Sequence, residues 1–245
     1  MIATRNKILG NLEALACAGR TVLIYGPRGI GKSTILKKLY SHISVMGRPC
    51  GLAIKTETLR DVTEALAHAY PEVKKEFLNQ KQVKGYLRAA VERNPGVLLL
   101  DHLSSVGNAT KGYLRSLRGT GFGVVIAADV EDREDHERVR AYHLAYHEME
   151  IPPLSAKSMR RLLNKEISQL TMPYDLIKKD YMALLKISAG RPGMIVLLAQ
   201  RLSDPLYWAE GRVKFELLRA DVLISLMDKL AGDHKSTIES GNGGV

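Results

Sequence analysis

Apolar residues recur along this chain in two rhythms, and the rhythm changes near residue 153. Before that point, short apolar runs alternate with stretches of helical spacing. Thr21-Val22-Leu23-Ile24-Tyr25, Gly51-Leu52-Ala53-Ile54-Lys55, Val97-Leu98-Leu99-Leu100-Asp101, Gly123-Val124-Val125-Ile126-Ala127-Ala128-Asp129 and Glu148-Met149-Glu150-Ile151 read as five strands. The run at 97–100 has no polar alternation, as expected of a strand buried on both faces of a parallel sheet. Apolar positions at helical spacing predict helices from Ile35 onward, over Leu59–Ala69, from about Glu72 to Glu92, and over 111–118, with Pro71 and Asn94-Pro95-Gly96 as stops. Strands alternating with helices imply right-handed βαβ crossovers and an α/β fold. From Leu154 onward the strand signals stop, and helical patterns follow at 155–169, 178–189, 192–202 and 213–230. The expected organisation is an α/β core over 1–152, a helical domain over 153–232 joined at Pro152-Pro153, and a flexible tail over 233–245, rich in glycine at its end.

Composition narrows the functional classes. A chain of 245 residues can bury a sizeable core without covalent staples. Its two cysteines, Cys17 and Cys50, make neither a disulfide framework nor a zinc site, which fits a reducing compartment. Apolar runs fall short of the roughly 18 residues of a membrane span, and the first residues, Met1 to Lys7, lead into an amphipathic helix rather than the apolar core of a signal peptide. A cytoplasmic protein with no membrane partner is expected. The net charge of +10 favours a polyanionic partner.

The stretch GPRGIGKST, residues 26–34, adds chemistry. It lies between a β-branched strand and a helix, and in that context G-x-x-x-x-G-K-[ST] reads as a phosphate-binding loop. Gly26, Gly29 and Gly31 let backbone N–H groups turn inward on phosphates, with Pro27, Arg28 and Ile30 completing the loop, and the helix contributes its positive end. Lys32 would reach the β- and γ-phosphates, Ser33 would ligate Mg²⁺ through its hydroxyl, and Thr34 would sit near the α-phosphate. A Mg²⁺–nucleotide site also needs a carboxylate beside the metal. Asp101, at the end of the apolar run 97–100, is placed to supply it. A nucleotide with Mg²⁺ is therefore the expected ligand.

With these residues in view, the chain resembles the AAA+ superfamily and its close relatives the STAND ATPases over nearly its whole length. The resemblance rests on GPRGIGKST as Walker A, VLLLD as Walker B, the strand VVIAAD, the phrase EMEIPPLSAKSMRRLL, and ISAGRPGMIVLLAQRL. It implies a P-loop NTPase fold, a five-stranded parallel sheet flanked by helices, with a C-terminal all-helical lid domain. It implies an ATPase. In such proteins a G-x-P element of the lid places a residue over the phosphates, which makes Arg191 of Gly190-Arg191-Pro192 a candidate sensor 2, although Gly190 ending one helix and Pro192 starting the next would leave the same pattern. Within the superfamily the pattern is most similar to the initiator and transposition-helper ATPases of the MuB and TniB kind and to archaeal STAND-like ATPases.

Departures from the family pattern matter too. Many AAA+ ATPases follow the Walker B aspartate with a glutamate that polarises the attacking water, whereas this chain has His102. A neutral imidazole can act as a general base but lacks the carboxylate's charge and reach, so slow hydrolysis is expected. Where the family places a polar sensor 1, Asp129 stands. A carboxylate would repel a γ-phosphate, so Asp129 is expected to orient a water or pair with an arginine. The charged segment Glu131 to Arg140 sits where the family places its arginine finger, with Arg138 and Arg140 as candidates. A solvated helix laced by pairs such as Glu134 with Arg138 would have the same composition.

For DNA, Lys111, Arg115 and Arg118 are spaced to share one helix face, with Tyr113 and Tyr86 as possible stacking groups, and Lys55 and Arg60 follow the second strand where ring-forming relatives place a pore loop. Lys157, Arg160, Arg161 and Lys165 form a second basic helix that competes for the role. The reading is an ATP-binding, slowly hydrolysing AAA+ ATPase that switches assembly, as an oligomer or filament, on double-stranded DNA, in replication, recombination or transposition. Its rivals are a STAND-like nucleotide-gated signalling switch that contacts protein rather than DNA, and a small-molecule kinase.

Overall fold

Val97–Leu100 (β3) is buried at every position, and its side chains divide between two cores. Leu98 and Leu100 pack with Leu23, Val124 and Ile126 on one face, while Val97 and Leu99 pack with Val22, Ile24, Val125 and Ala127 on the other. This period-2 division follows from the pleat, and it runs through Thr21–Gly26 (β1) and Gly123–Asp129 (β4) alike. Cys50–Ala53 (β2) and His147–Glu150 (β5) complete a five-stranded sheet in the order β2-β3-β4-β1-β5, every neighbouring pair parallel. The computed structural model describes residues 2–56, 58–73, 78–101, 108–143 and 147–225. The chain divides into two compact units, Met1–Pro152 and Pro153–Val245.

Helices cover both faces of the sheet, as parallel strands require. Ile2–Cys17 (α1) and Lys32–Val45 (α2) contribute Leu12, Ile35, Leu36 and Leu39 to one core. Leu59–Ala69 (α3), Gln80–Arg93 (α4) and Asn108–Ser116 (α5) contribute Val62, Leu66, Leu87 and Tyr113 to the other. A fully buried Leu such as Leu99 stabilises the fold by about 1.5–3 kcal/mol. Arg133–His143 (α6) links β4 to β5.

Two boundaries differ from expectation for a local reason. α4 starts at Gln80 rather than near Glu72, because Asn79 caps it: the Asn79 side chain accepts the Gln82 N–H, and Gln82 reaches back to the Asn79 N–H. α5 ends at Ser116, so Arg118 lies in the following turn and not on the same helix face as Lys111 and Arg115.

The second unit has its own core. Ala156–Ile167 (α7), Lys178–Ser188 (α8) and Pro192–Leu202 (α9) bury Met159, Leu163, Leu184, Ile195 and Leu198 together with Trp208 and Leu218. A small hairpin, Trp208–Ala209 (β6) with Arg212–Val213 (β7), lies where strands were expected to have stopped. Its positive-φ Glu210 and Gly211 make the turn, and two residues per strand are too few to register as a period. Residues 215–225 are helical. The end of the helix expected over 213–230 and the tail at 233–245 lie outside the described residues. Among the described residues no helix is long and apolar enough to cross a membrane.

Candidate functional site

The loop from β1 to α2 turns on three glycines with positive φ: Gly26 at 147°, Gly29 at 78° and Gly31 at 101°. Side chains larger than hydrogen rarely tolerate such angles. Gly31 is the N-cap of α2 and offers no side-chain cap, so the helix begins at Lys32 with its orphan N–H donors and positive end directed at the loop. Ile30 is fully buried and anchors the turn, its N–H donating to the Pro27 carbonyl at 3.2 Å. From α1, Arg5 Nη2 donates to the Ile30 carbonyl at 2.8 Å and to the Pro152 carbonyl at 3.3 Å, and burial lowers the pKa of its guanidinium. Arg5 carries no motif or periodicity that would mark it in the sequence.

Lys32 is 4% exposed. Its Nζ donates to the Gly26 carbonyl at 2.6 Å and the Pro27 carbonyl at 3.1 Å. It also lies 2.6 Å from Asp129 Oδ1, an ionic contact set off the hydrogen-bonding direction. Asp129 thus meets the loop lysine as well as any partner expected from the sequence. Strand order is the cause: β4 lies between β1 and β3, and its register places Asp129 opposite Gly26. The residues after it also touch the loop. The Val130 N–H donates to the Gly26 carbonyl at 3.2 Å, and Glu131 Oε1 accepts the Arg28 N–H at 2.8 Å. α6 is tied to the same sheet edge by His136, whose ring lies 4.4 Å from that of Tyr25 and whose Nε2 is 3.1 Å from Glu148.

Asp101 follows β3 at the same C-terminal edge of the sheet, where α/β folds gather ligands. It is 3% exposed, its N–H donates to the Ala53 carbonyl at 2.9 Å, and the Thr56 hydroxyl donates to its carbonyl at 3.1 Å. Ser33 is the second residue of α2. A hydroxyl and a buried carboxylate are the hard oxygen donors that Mg²⁺ takes alongside phosphate oxygens, so this pair fits the metal. Among the described residues no group of three His, Cys, Asp or Glu side chains is gathered to hold a metal.

His102 lies outside the described residues. Arg138 and Arg140 fall on α6, but their side chains also lie outside what is described. Arg191 belongs to the second unit, as the N-cap of α9 with Pro192 in the first turn and positive-φ Ala189 and Gly190 before it, so the helix punctuation is present. Thr34 and Lys55 are exposed, as is Arg115, whereas Lys111 and Arg118 are half-buried. Tyr113 is 6% exposed and cannot stack on a base, and burial pushes its hydroxyl pKa upward. Tyr86 is exposed. On α7, Lys157, Arg160, Arg161 and Lys165 are all exposed, and the first three share a shallow cleft with Asn164.

Comparison with known proteins gives these features a context. The model of the ATPase family associated with various cellular activities (AAA) matches residues 22–120. Among solved structures, Cdc6p from Pyrobaculum aerophilum is similar with a TM-score of 0.55 at 14% identity, over 83% of this chain and 60% of that one. A katanin structure concerned with self-assembly is similar at 0.51 and 16%, over 87% and 76%. PCH-2 of C. elegans is similar at 0.50 and 15%, over 93% and 68%. At these identities the likeness is one of fold, and the chain spans only 60% of the length of Cdc6p.

Proposed function

From the loop geometry and the match of the AAA family model to residues 22–120, we infer that the protein is an AAA-type P-loop ATPase that binds ATP·Mg²⁺ at GPRGIGKST, hydrolyses it slowly, and uses the nucleotide to switch its own assembly on double-stranded DNA. One geometry carries the nucleotide reading. The ammonium of Lys32 is held by the Gly26 and Pro27 carbonyls of a loop that turns on three positive-φ glycines, at the sheet edge that also bears the buried Asp101.

In this reading the loop N–H groups and the start of α2 seat the α- and β-phosphates, and Lys32 holds the β/γ-phosphates as a point charge. Ser33 and Asp101 hold Mg²⁺, which neutralises phosphate charge when bound. His102 takes the place of the glutamate that polarises water, and its weaker pull keeps turnover low. Arg191 is the candidate for the sensor 2 role, and Arg138 or Arg140 of a neighbouring copy completes the charge stabilisation. Self-assembly is then favoured by ATP, and cytoplasmic DNA is the scaffold.

The DNA part rests on the net charge of +10 and on exposed basic groups. Exposure favours α7, with four exposed cations at helical spacing, over the Lys111, Arg115 and Arg118 set. Repetition of such a face in an assembly would multiply phosphate contacts without base readout. The test is a binding isotherm for double-stranded DNA over a salt series, with and without a non-hydrolysable ATP analogue. ATP-strengthened, salt-sensitive binding with little sequence preference is expected. Absence of DNA binding with nucleotide at low salt would sink the DNA reading in favour of a nucleotide-gated switch that contacts protein.

A further inference from the structure

The segment leaving β4 grips the P-loop at three successive residues. Asp129 holds Lys32 Nζ at 2.6 Å, the Val130 N–H holds the Gly26 carbonyl at 3.2 Å, and Glu131 holds the Arg28 N–H at 2.8 Å. Two of the three contacts are carboxylates placed on the two kinds of group that a P-loop offers to phosphate, a lysine ammonium and a backbone N–H. Lysine has three donor directions. Here the Gly26 and Pro27 carbonyls take two of them, and the Asp129 carboxylate lies in ionic contact at 2.6 Å, off the hydrogen-bonding direction.

We propose that Asp129, assisted by Glu131, is an acidic clasp that competes with nucleotide phosphates for the P-loop and biases the site toward ADP over ATP. The inference rests on the P-loop reading and adds a discriminating residue to it. A phosphate that takes Lys32 must either displace the Asp129 carboxylate or lie beside it. Like charges at that range repel, and the repulsion falls off with distance. Lys32 is 4% and Asp129 25% exposed, so water and salt screen the pair incompletely. The γ-phosphate adds charge at the end of the nucleotide that Lys32 contacts, so it meets the clasp more directly than the α- and β-phosphates do. Glu131 grips a backbone N–H outside this pair, and its removal acts on both nucleotides alike.

Calorimetric titration of the full chain with ATP and with ADP, each with and without Mg²⁺, tests the clasp in wild type, Asp129→Asn and Glu131→Gln. Asparagine keeps the shape and an acceptor for Lys32 but not the charge. The Kd ratio of ATP to ADP is expected to fall about tenfold in Asp129→Asn, with ADP affinity retained or raised, and to stay constant in Glu131→Gln while both nucleotides tighten. An unchanged ratio in Asp129→Asn, or a parallel loss of both affinities, overturns the proposal and leaves Asp129 a structural partner of Lys32. ADP binding reports whether the variant is folded, and Asp129→Ser provides a second charge-free variant should asparagine not fold. If wild type binds neither nucleotide, the P-loop reading itself fails, an outcome distinct from equal ratios in proteins that bind.

Discussion

Lys32 Nζ sits 2.6 Å from Asp129 Oδ1, across the boundary between two neighbouring parallel strands. The pair joins the β1–α2 loop to the end of β4 and gives Lys32 a structural partner. Removal of Lys32 alone would leave a carboxylate without its ammonium. Loss of one member of a buried pair costs about 3–5 kcal/mol, and exposure of Asp129 reduces that figure here.

On the proposed reading, with His102 in the place of a water-polarising glutamate and an arginine finger supplied by a neighbouring copy, hydrolysis by the isolated chain is expected to be slow. A phosphate-release assay on dilute protein checks this. Turnover well under one per second is expected, rising in His102→Glu; many turnovers per second in the dilute wild type would contradict it.

DNA affinity should depend more on α7 than on the α5 region. Replacement of Lys157, Arg160 and Arg161 by Ala is expected to weaken DNA binding and to lower the slope of log affinity against log salt by about 2.7, at roughly 0.9 for each phosphate no longer neutralised. The Lys111/Arg115/Arg118→Ala variant is expected to weaken binding less, since Lys111 and Arg118 are half-buried and Arg118 is off the helix. Equal slopes in wild type and the α7 variant would remove α7 from the interface.

Stability should fall at alkaline pH. Burial pushes the Cys50 thiol from 9.0 up to about 12 and the Tyr70 hydroxyl from 10.0 up to about 12. Both groups keep their protons longer in the folded chain than in the unfolded one. Their contribution is therefore complete below the ordinary values and is lost as pH rises from about 9 toward 12. Tyr70 also donates to the Asn94 carbonyl at 2.8 Å. Urea unfolding should show Tyr70→Phe costing about 1 kcal/mol at pH 8 and less at pH 10.5. A cost that grows with pH would contradict the assignment.

The strand segments, the P-loop and the carboxylate at the end of β3 were legible because each is a local pattern: a run, a spacing, or a residue closing a run. Helix starts were less so. α4 begins later than the apolar period suggests, because its onset depends on the Asn79 capping box. The meeting of Asp129 with Lys32 was not legible, because it depends on β4 lying next to β1, and strand order leaves no mark in a linear pattern. The same holds for Tyr113: its spacing beside basic residues fits a stacking role equally well, and only packing against the sheet reveals it as core.

The most direct test of the account is a calorimetric titration of ATP·Mg²⁺ into wild type, Lys32→Ala and the double variant Lys32→Ala/Asp129→Asn, with melting temperatures recorded for each. Removal of a charge-assisted hydrogen bond worth about 1.5–3 kcal/mol predicts ATP binding weaker by roughly 10- to 150-fold in both variants. The double variant should melt closer to wild type than Lys32→Ala does, because its carboxylate is gone as well. ATP affinity unchanged in a folded Lys32→Ala variant would contradict the assignment of GPRGIGKST as the nucleotide site.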